Sequence, residues 1–186
     1  IGMMQNITDR KLLELHLEHL AHLDDLTQLP NRRAGMNQLS QMLLQAENQQ
    51  QPLCVGVIDI DHFKHINDQY GHPMGDEVIA GIAQLLRQHL RKSDFAFRMG
   101  GEEFVLLLPN TCIDEARQFE QALHARIHDF DWLGGYNLPQ VTFSIGIACF
   151  PDDTQNKDQV LKLADNALYQ AKENGRNRTC FALRED

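Results

Sequence analysis

Four carboxylates stand at two places where an apolar run gives way to a turn. The run LCVGVIDI, residues 53–60, ends in Asp59 and is followed by Ile60 and Asp61. The run RMGGEEFVLLLP places Glu102 and Glu103 directly after Gly100 and Gly101 and directly before five apolar residues. Clustered acids repel one another, and burying them unpaired is costly. A hard divalent cation removes that conflict: Mg²⁺ takes oxygen ligands and keeps room for water and substrate phosphates. Two such ions polarise a phosphoryl group and activate an attacking hydroxyl. Paired glycines let the backbone come close to a bulky ligand. Taken alone, GGEE fits a plain hairpin with solvated acids equally well.

The stretch DIDHFKHINDQYGHPMGDEVI, residues 59–79, adds Lys64, Asn67, His72 and Asp76 to one loop-to-helix passage. Backbone N–H groups around Phe63 and Lys64 are placed to cradle phosphates, and Lys64 balances phosphate charge. Asn67 and Asp76 carry donors and acceptors suited to a guanine edge, although both types also cap turns. Near the end of the chain, AKENGRNR puts Lys172 in a last helical turn and Arg176 just past it, where cations are favourable in any helix.

The elements that must position these groups are legible as periodicities. Residues 9–23 carry Leu13, Leu17 and Leu20 at the spacing of a coiled-coil seam, too short to hold a dimer alone. The segment reads as the end of a longer helix. A polar turn, DDLTQLPNRR, follows at residues 24–33. Helices are expected over residues 34–48, 75–90, 113–127 and 159–173, the last with Gly175 beyond its end. Strands are expected over residues 53–60, 95–98, 104–108 and 141–150, the middle pair forming a hairpin around Gly100 and Gly101. The order β-α-β-β-α-β suggests an α+β sandwich, an antiparallel sheet with helices packed on one face.

Composition narrows the function. A chain of 186 residues that is 42% hydrophobic builds a real core, and a net charge of -9 argues against a nucleic-acid polymer or an anionic membrane surface as partner. No apolar run approaches a membrane span, and there is no secretory signal. The four cysteines, Cys54, Cys112, Cys149 and Cys180, lie far apart and read as reduced, mostly buried thiols in a cytosolic setting.

Five stretches in order, DDLTQLPNRR, DIDHFKHINDQYGHPMGDE, GGEEF, SIGIA and AKENGRN, resemble the GGDEF-domain diguanylate cyclases over residues 23–181. The resemblance implies a nucleotidyl-cyclase, palm-like α+β sandwich: a central, mostly antiparallel sheet with a βαββαβ core and flanking helices. It implies condensation of two GTP into cyclic di-GMP with release of pyrophosphate, with two Mg²⁺ per active site or Mn²⁺ in their place. It makes Asp59, the Ile60 carbonyl, Glu102 and Glu103 metal ligands. Glu102 is also the candidate base for the attacking 3′-hydroxyl. Lys64, Lys172 and Arg176 become phosphate contacts with the Phe63 N–H, and Lys64 a stabiliser of transition-state charge. Asn67, His72 and Asp76 become substrate contacts, with Asn67 and Asp76 reading guanine. Asp24 and Asn31–Arg32 match an entry motif in which Gln28 stands where glycine is usual.

The family's product has two-fold symmetry, so two domains must face each other and a homodimer is expected for catalysis. Arg91 and Asp94 match the family's R-x-x-D product-inhibition site. Five residues separate Asp94 from the glycine turn, roughly 17 Å of strand, so product there would lock domains in an unproductive arrangement rather than fill the active site. MQNITDRK, residues 4–11, resembles the exit of a PAS sensor domain. Residues 1–22 are therefore expected to be a linker or signalling helix and 23–186 the cyclase domain. The expected location is the bacterial cytoplasm, with membrane attachment possible through a part of the protein preceding this chain.

Overall fold

The computed structural model describes residues 22–130, 132 and 140–182. Most of the seam at residues 9–23 and the PAS-exit stretch at residues 4–11 lie outside the described residues. The elements are α1 (Arg32–Gln49), β1 (Leu53–Ile60), α2 (Phe63–Tyr70), α3 (His72–His89), β2 (Phe95–Gly100), β3 (Glu103–Pro109), α4 (Ile113–His128), β4 (Phe143–Phe150), α5 (Val160–Glu173) and β5 (Thr179–Phe181).

The sheet runs β2-β3-β1-β4-β5, antiparallel throughout except for the parallel pair β4–β5. β1 is central and buried at every position, as a near-continuous apolar run requires. Its residues alternate between two cores. Cys54, Ile58 and Ile60 pack with Val78, Ile82 and Leu86 of α3 and Leu123 of α4. Leu53, Val55 and Val57 pack with Leu39 and Leu43 of α1 and Ala164 and Leu168 of α5. The mixed α+β fold is as expected, but the helices cover both faces of the sheet, not one. Both faces of β1 are apolar, so each needs its own cover.

Local chemistry explains the boundaries. The Asn31 carboxamide caps α1 by accepting from the Ala34 N–H at 3.0 Å. At α4, Glu115 reaches back to the Cys112 N–H at 2.8 Å, completing a capping box. The expected helix at residues 75–90 begins a turn earlier, at His72, because Gly71 (φ 87°) takes the N-cap and Pro73 fits the first turn. Two elements escaped the sequence reading. The stretch 63–70 is itself a helix, and β5 is too short to show a period.

A second expectation is overturned. Cys54 and Cys149 are direct cross-strand partners of β1 and β4, and their sulfurs are bonded as a disulfide. Their sequence separation of 95 hid a proximity that the register creates. Cys112 and Cys180 remain free, the former exposed. The argument from four reduced thiols to a cytosolic setting therefore no longer stands.

Candidate active site

The carboxyl end of β1 and the β2–β3 turn meet at one edge of the sheet. In the antiparallel register Asp59 lies opposite Glu103 on one side and Ser144 on the other. Gly100 (φ 150°) and Gly101 (φ 53°) let the turn fold tightly, and a Cβ at either would meet nothing, so it is their backbone conformation that calls for glycine. A cleft of about 220 Å³ opens beside this edge, lined by Asp59, Ile60, His62, Phe63, Lys64, Glu102, Lys172 and Arg176. Two larger clefts, of about 330 and 400 Å³, lie along α1 and are lined by amides and apolar groups, with Glu47 the one ionisable residue among their walls.

The electrostatics of the edge are those of crowded acids. Burial pushes the Asp59 carboxyl above its ordinary range; Lys172 opposes this, and Glu102 and Asp61 add to it. Glu103 is raised by burial first and then by Asp59, with Lys172 opposing and Asp165 and Glu102 adding. The Lys172 ammonium sits 2.9 Å from Asp59 Oδ2 as the local counter-charge. No three carboxylate, histidine or cysteine side chains among the described residues gather tightly enough to hold an ion by themselves. The donors still fit a hard cation. The oxygens of Asp59, Ile60 and Glu102 share one cleft with three cationic side chains, Lys64, Lys172 and Arg176, and Mg²⁺ ordinarily completes its shell with water and phosphate oxygens.

The phosphate-binding expectations gather in the same place. Phe63 and Lys64 open α2, where the first N–H groups have no intrahelical acceptor. His65 and Ile66 already bond back to the His62 carbonyl. Asn67, His72 and Asp76 stand apart from the cleft walls, on α2 and the first turns of α3. There Gly75 closes onto α2: a Cβ at Gly75 would lie 2.0 Å from Asn67 Oδ1 and 3.0 Å from Phe63 Cζ. Asn67 Oδ1 is buried without a hydrogen-bond partner among the described residues. Arg91 and Asp94 form a turn remote from the cleft, with the Asp94 carboxylate accepting from the Arg91 N–H at 2.9 Å.

Three contributors were missed or misplaced by sequence. Arg98 links the glycine turn to Asp24 of the entry motif, and nothing in its β-strand context marks it. Asp165, exposed on α5 two helical turns before Lys172 on the same stripe, adds its field to Glu103. Asp61 belongs to the acidic run but does not line the cleft. Gln28 adopts φ 54°, which explains the usual glycine there, and the turn keeps its shape through a bond from the Gln28 N–H to the Asp24 carbonyl at 2.8 Å.

The family model described as "Diguanylate cyclase, GGDEF domain" matches residues 21–178. The chain belongs to the GGDEF-domain family. This GGDEF domain is 42% identical over 180 residues to diguanylate cyclase DgcM of Escherichia coli (strain K12), covering 97% of this chain and 43% of DgcM. It superposes with a TM-score of 0.85 and 30% identity on the coiled coil and GGDEF domain of DgcB from Caulobacter crescentus, solved in complex with c-di-GMP, covering 97% of each chain. The active GGEEF domain of a diguanylate cyclase from Vibrio cholerae gives a TM-score of 0.78 and 33% identity, covering 85% of this chain and 100% of that one. The chain thus spans less than half the length of DgcM. Among the described residues no helix is long and apolar enough to cross a membrane.

Proposed function

We propose that this GGDEF domain condenses two GTP into cyclic di-GMP. The observation that carries the reading is the shared cleft of Asp59, Ile60, Glu102, Lys64, Lys172 and Arg176, in which hard oxygen donors and three cations line the same walls. Lys64, Lys172 and Arg176 hold the phosphates, with the free N–H groups at the start of α2. Asn67 and Asp76 read the guanine edge, and His72 lies against the nucleotide. Asp59, the Ile60 carbonyl, Glu102 and Glu103 would hold Mg²⁺, which when bound neutralises the phosphates and favours ionisation of the attacking hydroxyl.

Glu102 accepts the proton of the 3′-hydroxyl. That oxygen bonds to the α-phosphorus of the GTP on a facing domain, and the bond to the pyrophosphate leaving group breaks. The same exchange in the opposite direction closes the ring and releases a second pyrophosphate. One domain presents one half-site, so the active species is a homodimer. Arg91 and Asp94, about 17 Å of strand from the turn, bind product and lock the domains in an unproductive arrangement. Residues 23–186 form the cyclase unit, residues 1–22 the linker from an upstream sensor, and the unit works in the cytoplasm.

The test is incubation of the purified chain with GTP and Mg²⁺, with products separated by chromatography and Glu103→Ala as control. Cyclic di-GMP from the parent alone supports the reading. Tight cyclic di-GMP binding without synthesis, even after enforced dimerisation, points instead to a receptor.

A further inference from the structure

We propose that Asp61 is a positioning residue that holds the Arg176 phosphate loop in its binding shape, an inference that rests on the nucleotide reading of the cleft. Asp61 is 4% exposed and faces away from the cleft. Its Oδ1 accepts from Ser144 Oγ at 2.7 Å, and its Oδ2 accepts from Thr142 Oγ1 at 2.8 Å and from the Asn177 N–H at 2.9 Å. Its own N–H donates to the Thr142 carbonyl at 2.9 Å. One carboxylate therefore ties the end of β1 to β4 and to the loop after α5, a partner 116 residues away.

That loop needs an external hold. Arg176 (φ 62°) and Asn177 (φ 46°) are consecutive non-glycine residues in the left-handed region, following Gly175 (φ 109°). Such a pair is sterically unfavourable and persists where surrounding contacts impose it. The Arg176 N–H closes onto the Ala171 carbonyl at 3.0 Å, which fixes the loop's start, and the Asn177 N–H bond to Asp61 fixes its end. Between these two bonds lies the residue whose guanidinium lines the cleft. Ser144, another partner of Asp61, is the cross-strand neighbour of Asp59. Asp61 thus sets the phosphate loop in register with the strand that carries the metal ligand. Without that carboxylate, the Asn177 amide loses its acceptor, the left-handed pair relaxes, and Arg176 leaves the phosphates.

A double-mutant cycle on Asp61→Asn and Arg176→Ala tests this, read as KM for GTP and kcat, beside hydrogen exchange of the nucleotide-free wild type. Asp61→Asn is expected to raise KM by about tenfold with a smaller change in kcat, and to add less than about twofold on top of Arg176→Ala. Asn177→Gly, which tolerates the positive φ, is expected to restore most of the lost affinity in the Asp61→Asn background. The Asn177 amide, on an exposed residue, is expected to exchange at least about 100-fold slower than an open amide. Fully additive KM effects overturn the proposal. So does an unprotected Asn177 amide in the wild type, a measurement that stands even where Asp61→Asn does not fold. A wild type that is protected at Asn177 but neither binds nor turns over GTP would refute the nucleotide reading and leave the Asp61 hold on the loop intact.

Discussion

Arg98 and Asp24, 74 residues apart, meet in a forked ion pair in which Arg98 Nη1 lies 3.0 Å from both carboxylate oxygens. The other edge of the same guanidinium, Nε and Nη2, donates to the Gly101 carbonyl at 3.0 and 2.7 Å. One planar cation thus joins the entry turn to the glycine turn that carries Glu102. Asp24 is itself held by the Thr27 N–H and hydroxyl, and those bonds, together with Arg98, draw its carboxyl below the ordinary range despite burial.

Breaking this fork should misplace the turn rather than remove a substrate contact. Arg98→Ala is expected to lower kcat about 100-fold, the scale of a small misplacement at reacting groups, with KM for GTP changed far less. Loss of the charge-assisted bonds should cost about 2 kcal/mol. Steady-state cyclic di-GMP formation and thermal unfolding check both.

The crowded acids should make the metal-free domain less stable than a neutralised variant. Glu103 is raised in the folded state, so its favourable contribution is present below the ordinary carboxylate range and is lost as pH rises through the raised folded value. Glu103→Gln should therefore match the parent's Tm near about pH 4 and exceed it by roughly 1–2 °C at neutral pH, a modest gain for a partly solvated group. Mg²⁺ should close that gap by raising the parent's Tm and not the variant's. Scanning fluorimetry in chelator and in Mg²⁺, across pH, measures both.

Lys172 is the counter-charge of Asp59. It pairs with Asp59 at 2.9 Å, and under the proposed function it turns to phosphate when nucleotide binds. Lys172→Met should raise KM for GTP by at least about tenfold. It should also cost about 1 kcal/mol in the metal-free domain, because Asp59 loses its counter-charge in a half-screened setting. Titration with a fluorescent GTP analogue and denaturant unfolding separate the two effects.

Gly75→Ala should act on the base contact. The new methyl would overlap Asn67 Oδ1 at 2.0 Å and crowd the Phe63 ring. Overpacking at a helix–helix contact typically costs about 1–3 kcal/mol. The displaced Asn67 should raise KM for GTP and weaken discrimination against ATP, which competition between the two nucleotides would show. Unchanged selectivity with lowered stability would remove Asn67 from the guanine site.

What the sequence by itself determined is whatever rests on local chemistry. Strand β1 announced itself as an apolar run ending in acid, the hairpin as paired glycines between β-formers, and helices α1, α3, α4 and α5 as periodic stripes. The two-sided packing was legible only in part: the all-apolar β1 demanded cover on both faces, yet the element order alone suggested one. The motif spacing placed Asp59, Glu102, Lys64, Lys172 and Arg176 in one family pattern, and the structure brings these five to one cleft.

Tertiary structure decided the contacts that join distant segments through the sheet. Register alone sets Cys54 against Cys149 and turns a pair of presumed thiols into a disulfide. Asp59 and Asp61 look equivalent in DID, and alternation alone would put them on one side, but β1 ends at Ile60 between them. Asp59 therefore faces the cleft, while Asp61, one residue past β1, turns inward to Ser144, Thr142 and Asn177. Arg98 reads as an ordinary strand residue until Asp24 is folded against it. A periodicity reports which face a residue occupies, whereas a hydrogen bond between residues 74 or 116 positions apart depends on how the whole chain closes.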